Sequence, residues 1–139
     1  MTYAQDFEKA GKGCADLVAD VLVAAGFEDV YTFPPSSWLC PEPIVCSCGD
    51  YSRESAQLAA ERGVRVVDVV VCREDYVEAQ AVAKAAEKAV RLADWTDAAE
   101  GYLERVAGID TDAPWCTGQD KSLRWLWRFR AKLTVVREA

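Results

Sequence analysis

The chain has 139 residues, about half of them hydrophobic, and a formal net charge of -7 from 16 Lys and Arg against 23 Asp and Glu. This length suits one domain, and we expect residues 1–139 to form one. The acidic balance argues against free nucleic acid as a partner. A membrane is equally unexpected, because no apolar run reaches the roughly 18 residues that a span needs.

The sequence contains no histidine. Histidine is the commonest general base and a frequent metal ligand, so its absence disfavours most hydrolases and zinc enzymes. The first eight residues lack the basic and apolar stretches of a signal peptide. We therefore expect an intracellular protein that is not an enzyme.

The first predicted element is an amphipathic helix over residues 3–25. Apolar side chains recur there at spacings of three and four residues, and Gly26 provides a stop. Residues 29–33 read as a short extended piece. A surface loop is then predicted over residues 34–43, because its prolines and serines interrupt regular structure.

Two strands are predicted in the middle of the chain. Residues 44–48 form the first, with Ile44, Cys46 and Cys48 on one face because side chains alternate along a strand. Residues 64–73 are mostly β-branched, as is typical of the central strand of a sheet. The polar stretch 51–62 between them is compatible with a helix, a loop or an irregular edge strand.

A second helix is predicted over residues 75–93, with Asp75 as its N-terminal cap. Glu87 and Arg91 are spaced to pair on its surface. Its small buried stripe is predicted to consist of Ala79, Ala83, Ala86 and Val90. Small side chains on this stripe allow the helix to lie close to a sheet.

The C-terminal third contains the most regular pattern of the sequence. After Asp94 and Trp95, a linker leads to residues 102–109, which are predicted to form a strand. Residues 110–122 are predicted to form a mobile, turn-rich loop. Residues 125–136 form the last strand. One of its faces is aromatic and aliphatic, with Trp125, Trp127, Phe129, Ala131, Leu133 and Val135.

The predicted order of elements is α-β-β-β-α-β-β. Short connections favour antiparallel neighbours, with the helices gathered on one side of the sheet. We therefore predict an α+β fold within the broad α/β class. Its sheet should be mostly antiparallel or mixed, with four to five strands and two helices packed on one face.

The six cysteines raise the question of metal or redox chemistry. In an intracellular protein they are expected to be reduced, and the simplest interpretation is that they are small buried side chains. Cys40, Cys46 and Cys48 lie close in sequence, but their spacing lacks the C-x2-C pairs of zinc sites. We predict no metal and no cofactor, and keep a cysteine-based metal-binding or redox module as an alternative function.

The last strand carries a basic strip of three candidate interaction residues, Arg128, Arg130 and Lys132. One hypothesis is that this strip contacts an acidic surface on a second copy of the chain, and the other is that it is an ordinary solvated face. Trp38 and Trp115, in the two predicted loops, complete the candidate interaction residues. No catalytic residue is nominated, because the carboxylates and serines occupy cap and turn positions.

The C-terminal strand also carries a resemblance to a known family. Residues 118–129, GQDKSLRWLWRF, lead into LTVVR at 133–137. This run resembles the last strand of tail terminator and minor capsid proteins of long-tailed phages and prophages. The leading helix, the Phe-Pro-Pro segment at 33–35 and the CREDY run at 72–76 follow in the same order.

The resemblance implies a structural protein of the virion tail, made in the bacterial cytoplasm. Such a protein forms a ring, usually a hexamer, on the last ring of the tail tube. Its partners would be copies of itself, the tail tube protein and the head-tail connector protein. A third possible function, besides the tail protein and the cysteine-based module, is that of a small cytosolic adaptor that binds a protein or peptide through its sheet edge.

Overall fold

The computed structural model describes the backbone of residues 13–56, 60–95 and 105–138, and the side chains of these residues except at 50–60 and 137–138. The described residues form two helices, α1 (Cys14–Ala24) and α2 (Tyr76–Leu92). The strands are β1 (Val30–Tyr31), β2 (Ile44–Ala56), β3 (Ala60–Arg73), β4 (Arg105–Thr111), β5 (Trp115–Gln119) and β6 (Trp125–Glu138). The predicted α+β fold is confirmed.

All six strands belong to one mixed sheet, in the order β1-β2-β3-β6-β4, with β5 also paired to β6. The pair β1 and β2 is parallel, and every other pair is antiparallel. The predicted central position of β3 is confirmed, since it lies between β2 and β6. Strand β6 is also internal, with β3 on one side and both β4 and β5 on the other.

Both helices pack on the same face of this sheet. Alternate residues of the two central strands point to that face and are buried, among them Val67, Val69, Val71, Trp127, Phe129 and Leu133. The predicted stripe of α2 is fully buried against them. Buried side chains recur at every second residue along the strands and at every third or fourth residue along α2, and together they form one core. Neither helix is long and apolar enough to cross a membrane, as judged on the described ranges.

Helix α1 is bounded by a glycine at each end. Gly13 is extended and donates its N–H to the Asp16 carboxylate at 3.0 Å, so the helix begins at Cys14. The prediction of one continuous helix from residue 3 is therefore wrong at Gly13, and residues 3–12 lie outside the described part of the chain. Gly26 has a φ of 99°, the left-handed conformation that ends helices, and confirms the predicted stop.

Two other segments differ from the sequence-based expectations. Within the undecided stretch 51–62, residues 51–56 belong to β2 and residues 60–62 to β3, and these two strands pair antiparallel. Residues 57–59 lie outside the described part of the chain. Residues 115–119, predicted to lie in a mobile loop, form β5 on the edge of β6. The turn-forming residues of this stretch lie at the ends of β5 and at one kink within it. The kink is at Gly118, which has a φ of 114° at a register shift between β5 and β6.

The expectation of reduced cysteines is wrong for two of the six. Cys14, at the start of α1, is joined to Cys48 of β2 by a disulfide that closes a sequence separation of 34 residues. The bond forms because α1 packs across β2, which brings together two side chains that the sequence keeps apart. Cys40, Cys46, Cys72 and Cys116 are free.

The cap of α2 supports a first prediction. The Asp75 carboxylate accepts a hydrogen bond from the Glu78 N–H at 2.9 Å, so one of the unpaired donors of the first turn is satisfied. The Asp75→Ala variant should lower the free energy of unfolding by about 1 kcal/mol in urea denaturation. Asp75→Asn retains the acceptor and should stay close to the parent protein. Equal losses in both variants would contradict the capping role.

Candidate assembly surface

The basic strip of β6 lies on the sheet face opposite the two helices. The pairing of β3 with β6 places Val70 beside Arg128, Asp68 beside Arg130 and Val66 beside Lys132. These outward side chains of β3 are half-buried, and two of these three are valine. An outward sheet face normally carries mostly polar side chains. The two valines on this face are typical of a surface that contacts another molecule.

Arg130 is held in place within the chain. Asp112 accepts the Arg130 backbone N–H at 2.6 Å and the side-chain Nε at 3.0 Å. The guanidinium carbon also lies 5.4 Å from the centre of the Trp115 ring, within the range of a cation–π contact. The structure therefore brings together two of the predicted interaction residues, Arg130 and Trp115. It adds Asp112, which lies in the stretch predicted to be a turn-rich loop.

The other two members of the strip have different environments. Arg128 is half-buried opposite Trp115, and its Nε is buried without a hydrogen-bond partner among the described residues. Lys132 is exposed between Val66 of β3 and Asp110 of β4. A buried N–H of a charged group without a hydrogen bond costs free energy. A partner that binds the Arg128 guanidinium would displace little water from Nε, because this atom is already buried.

Two further arginines, which were not predicted from the sequence, lie on the same face as the strip. Arg62 of β3 and Arg105 of β4 both lie opposite Val136 of β6, on the same outward face. We call the set Arg62, Arg105, Arg128, Arg130 and Lys132 the basic face. It contains five cationic side chains beside three carboxylates, those of Asp68, Asp110 and Asp112. Only the strand register could reveal it, because its members come from three separate segments.

A second surface has the opposite charge. Residues 13–43, which form α1, β1 and the loop after them, contain five acidic residues and no Lys or Arg. We call them the acidic segment. It also displays apolar side chains, since Val23 is 57%, Phe33 59%, Trp38 85% and Leu39 60% exposed. Exposed aromatic and aliphatic groups beside charges are typical of protein interaction sites.

The loop that carries Trp38 is tied to the rest of the fold. Arg73 donates to the Glu42 carbonyl at 2.6 Å, and the Glu42 carboxylate accepts the Glu74 N–H at 3.0 Å. Arg124 donates to the carbonyl of Pro41. These bonds hold the loop against the end of β3 and the β5–β6 turn, so Trp38 is displayed at a defined place, and less ordering entropy is lost when a partner binds.

The β5–β6 turn is organised by Asp120. Its carboxylate accepts the backbone N–H of Ser122 at 2.9 Å and of Arg124 at 3.0 Å, and it pairs with the Arg124 side chain at 2.7 Å. Loss of hydration acts to raise the pKa of Asp120, but the hydrogen bonds from Arg124 and Ser122 outweigh it. The pKa of Asp120 is therefore below its usual value.

This pKa shift predicts a pH-dependent contribution to stability. Because the folded pKa is lowered, the contribution is present above the unfolded pKa of about 3.9 and is lost as pH falls through the folded value. Asp120→Ala should lower the free energy of unfolding by about 2 kcal/mol at pH 7. The difference from the parent protein should shrink in denaturation series at decreasing pH, and a difference independent of pH would contradict it.

Two of the four free cysteines, Cys46 and Cys72, are buried and poorly suited to thiolate chemistry. Burial raises the pKa of the Cys46 thiol to about 12 and raises that of Cys72 as well, so both remain protonated at neutral pH. In the described ranges, no three Cys, Asp or Glu side chains are grouped closely enough to hold a metal ion. The absence of a metal from the protein stays a prediction.

Comparisons with known proteins bear on the fold. No family model and no curated protein sequence matches the chain. A chain in the solved structure "Virion of native gene transfer agent (GTA) particle" is similar, with a TM-score of 0.51 and 16% identity. The likeness covers 98% of this chain and 93% of that one. Over nearly its whole length, therefore, this chain shares the fold of a protein found in a virion.

Proposed function

We propose that the protein is a structural subunit of a phage-like particle, and that it forms a ring on the end of the tail tube. In this role it stops tube growth and presents a surface to the head-tail connector. Its work is assembly, with no catalytic step. It would be located in the virion tail after assembly in the host cytoplasm.

The observation that carries the proposal is the end-to-end likeness to a chain of a virion. At 16% identity this likeness concerns the fold, so the role also depends on the resemblance of residues 118–137 to phage tail terminator proteins. The first is a likeness of backbone geometry, and the second is a likeness of local sequence. Both point to a particle-forming protein of the same broad kind.

The surfaces of the chain support this role. A ring subunit needs separate contacts for its neighbours in the ring and for the tube or connector. The basic face and the acidic segment lie on different parts of the molecule, and each carries apolar side chains among its charges. An interaction protein needs no buried catalytic group, and the described carboxylates of Asp75, Asp112 and Asp120 are used to hold helices, strands and turns.

Tube capping is the direct test. Tail tube protein from the same phage or prophage would be polymerised with and without this protein, and the tubes examined by negative-stain electron microscopy. We expect shorter tubes with a ring of extra density at one end. Pre-formed tubes should also stop growing when the protein is added. Tubes of unchanged length without end density would overturn the proposed function.

A further inference from the structure

We infer that copies of this chain associate head to tail, with the acidic segment of one copy, residues 13–43, bound to the basic face of the next. The inference deepens the proposed function, because it names the two surfaces that would contact each other in the ring, and it rests on that function. The occupant of each surface is a second copy of this chain.

Charge complementarity is the first argument. The acidic segment has five carboxylates and no Lys or Arg, although the whole chain has 16 basic residues. The basic face has five cations, and with Asp68, Asp110 and Asp112 beside them it remains net positive in a chain of net charge -7. Surfaces of opposite sign on one molecule attract between copies and disfavour contacts between like surfaces.

Position is the second argument. The acidic segment contains β1, at one edge of the sheet, and α1, on the face that the helices cover. The basic face is centred on β6 and β4 toward the other edge, and it lies on the opposite side of the sheet. Two different surfaces that fit each other make a heterologous contact, which closes into a ring when the rotation between subunits allows.

Apolar contacts supply the third argument. Trp38 is 85% exposed on its tethered loop, and Phe33 and Leu39 are more than half exposed. The basic face offers Val66 and Val70, both half-buried, between its charges. Aromatic side chains inserted between charges of a complementary surface are the usual source of binding energy in interfaces, while the surrounding charges set the register.

Charge reversal with complementation tests the inference. One double variant, Asp20→Lys with Glu28→Lys, makes the acidic segment basic, and the other, Arg105→Glu with Lys132→Glu, makes the basic face acidic. All four residues are exposed. In sedimentation at high protein concentration and low salt, the parent protein should associate, and each double variant alone should associate at least about tenfold more weakly.

An equal mixture of the two double variants should recover association, because each variant then meets a surface of opposite sign. The quadruple variant should recover it as well. A matched control, Lys84→Glu with Lys88→Glu, makes the same charge change as the basic-face variant, but on the exposed side of α2. It should leave association unchanged. Circular dichroism would establish that every variant is folded.

Failure of the mixture to associate, or equal weakening by the α2 control, would overturn the inference. So would a parent protein that stays monomeric under these conditions. These outcomes are distinct from failure of the proposed function, which is tested by tube capping with the parent protein. Capping by the parent together with no recovery in the mixture would retain the function and reject these two surfaces as the ring contact.

Discussion

Replacement of Trp127 by alanine is expected to lower the free energy of unfolding by about 3–5 kcal/mol, through lost burial and the cavity that remains. The indole is 6% exposed in the core. Its ring meets the Tyr76 ring edge to face at 5.5 Å, a contact that alanine also removes. Urea denaturation would show a lower midpoint with an unchanged slope.

Two variants make this result specific to burial. Trp38→Ala removes the same side chain from a site that is 85% exposed, and it should change stability by less than about 0.5 kcal/mol. Trp127→Phe keeps an aromatic ring and removes the Nε1–H, which has no hydrogen-bond partner among the described residues. It should cost clearly less than alanine. An unchanged midpoint for Trp127→Ala would show that this face of β6 is not core.

Loss of the disulfide is the second large effect that we expect. Cys14 and Cys48 are separated by 34 residues, and a cross-link over such a loop restricts the unfolded chain by about 3–4 kcal/mol in the chain-entropy model. The bridge also ties the first residue of α1 to β2. Thiol titration of the unreduced, denatured protein should detect four thiols, because four cysteines are free.

The measurement compares denaturation with and without a thiol reductant. The parent protein should lose about 3–4 kcal/mol on reduction, and the double variant Cys14→Ser with Cys48→Ser should start at the lower value and show no effect of reductant. Cys40→Ser serves as the matched control, since Cys40 is buried but free, and this variant should keep its sensitivity to reduction. Six thiols in the unreduced protein would contradict the bridge.

Properties that depend on neighbours in sequence were predicted well. The alternation along β6, the small-residue stripe of α2, the cap at Asp75 and the stop at Gly26 are all present. Each arises from side chains within a few residues of one another, so that helix or strand periodicity shows in the sequence itself. The position of β3 inside the sheet followed from its β-branched composition for the same reason.

The candidate site was predicted only in part. Arg128, Arg130 and Lys132 do share a face, since alternation alone requires it. The sequence could not show that Asp112 binds Arg130 or that Arg62 and Arg105 join the same face. These relations depend on the register between strands that are distant in sequence.

The sequence by itself therefore determined most of the local elements, the fold class and the amphipathic character of β6. Only the tertiary structure decided that residues 115–119 form an edge strand, that Cys14 meets Cys48, and that the acidic and basic surfaces lie apart. The physical reason is that local periodicity selects a helix or a strand, whereas pairing and packing depend on which distant surfaces can be buried together.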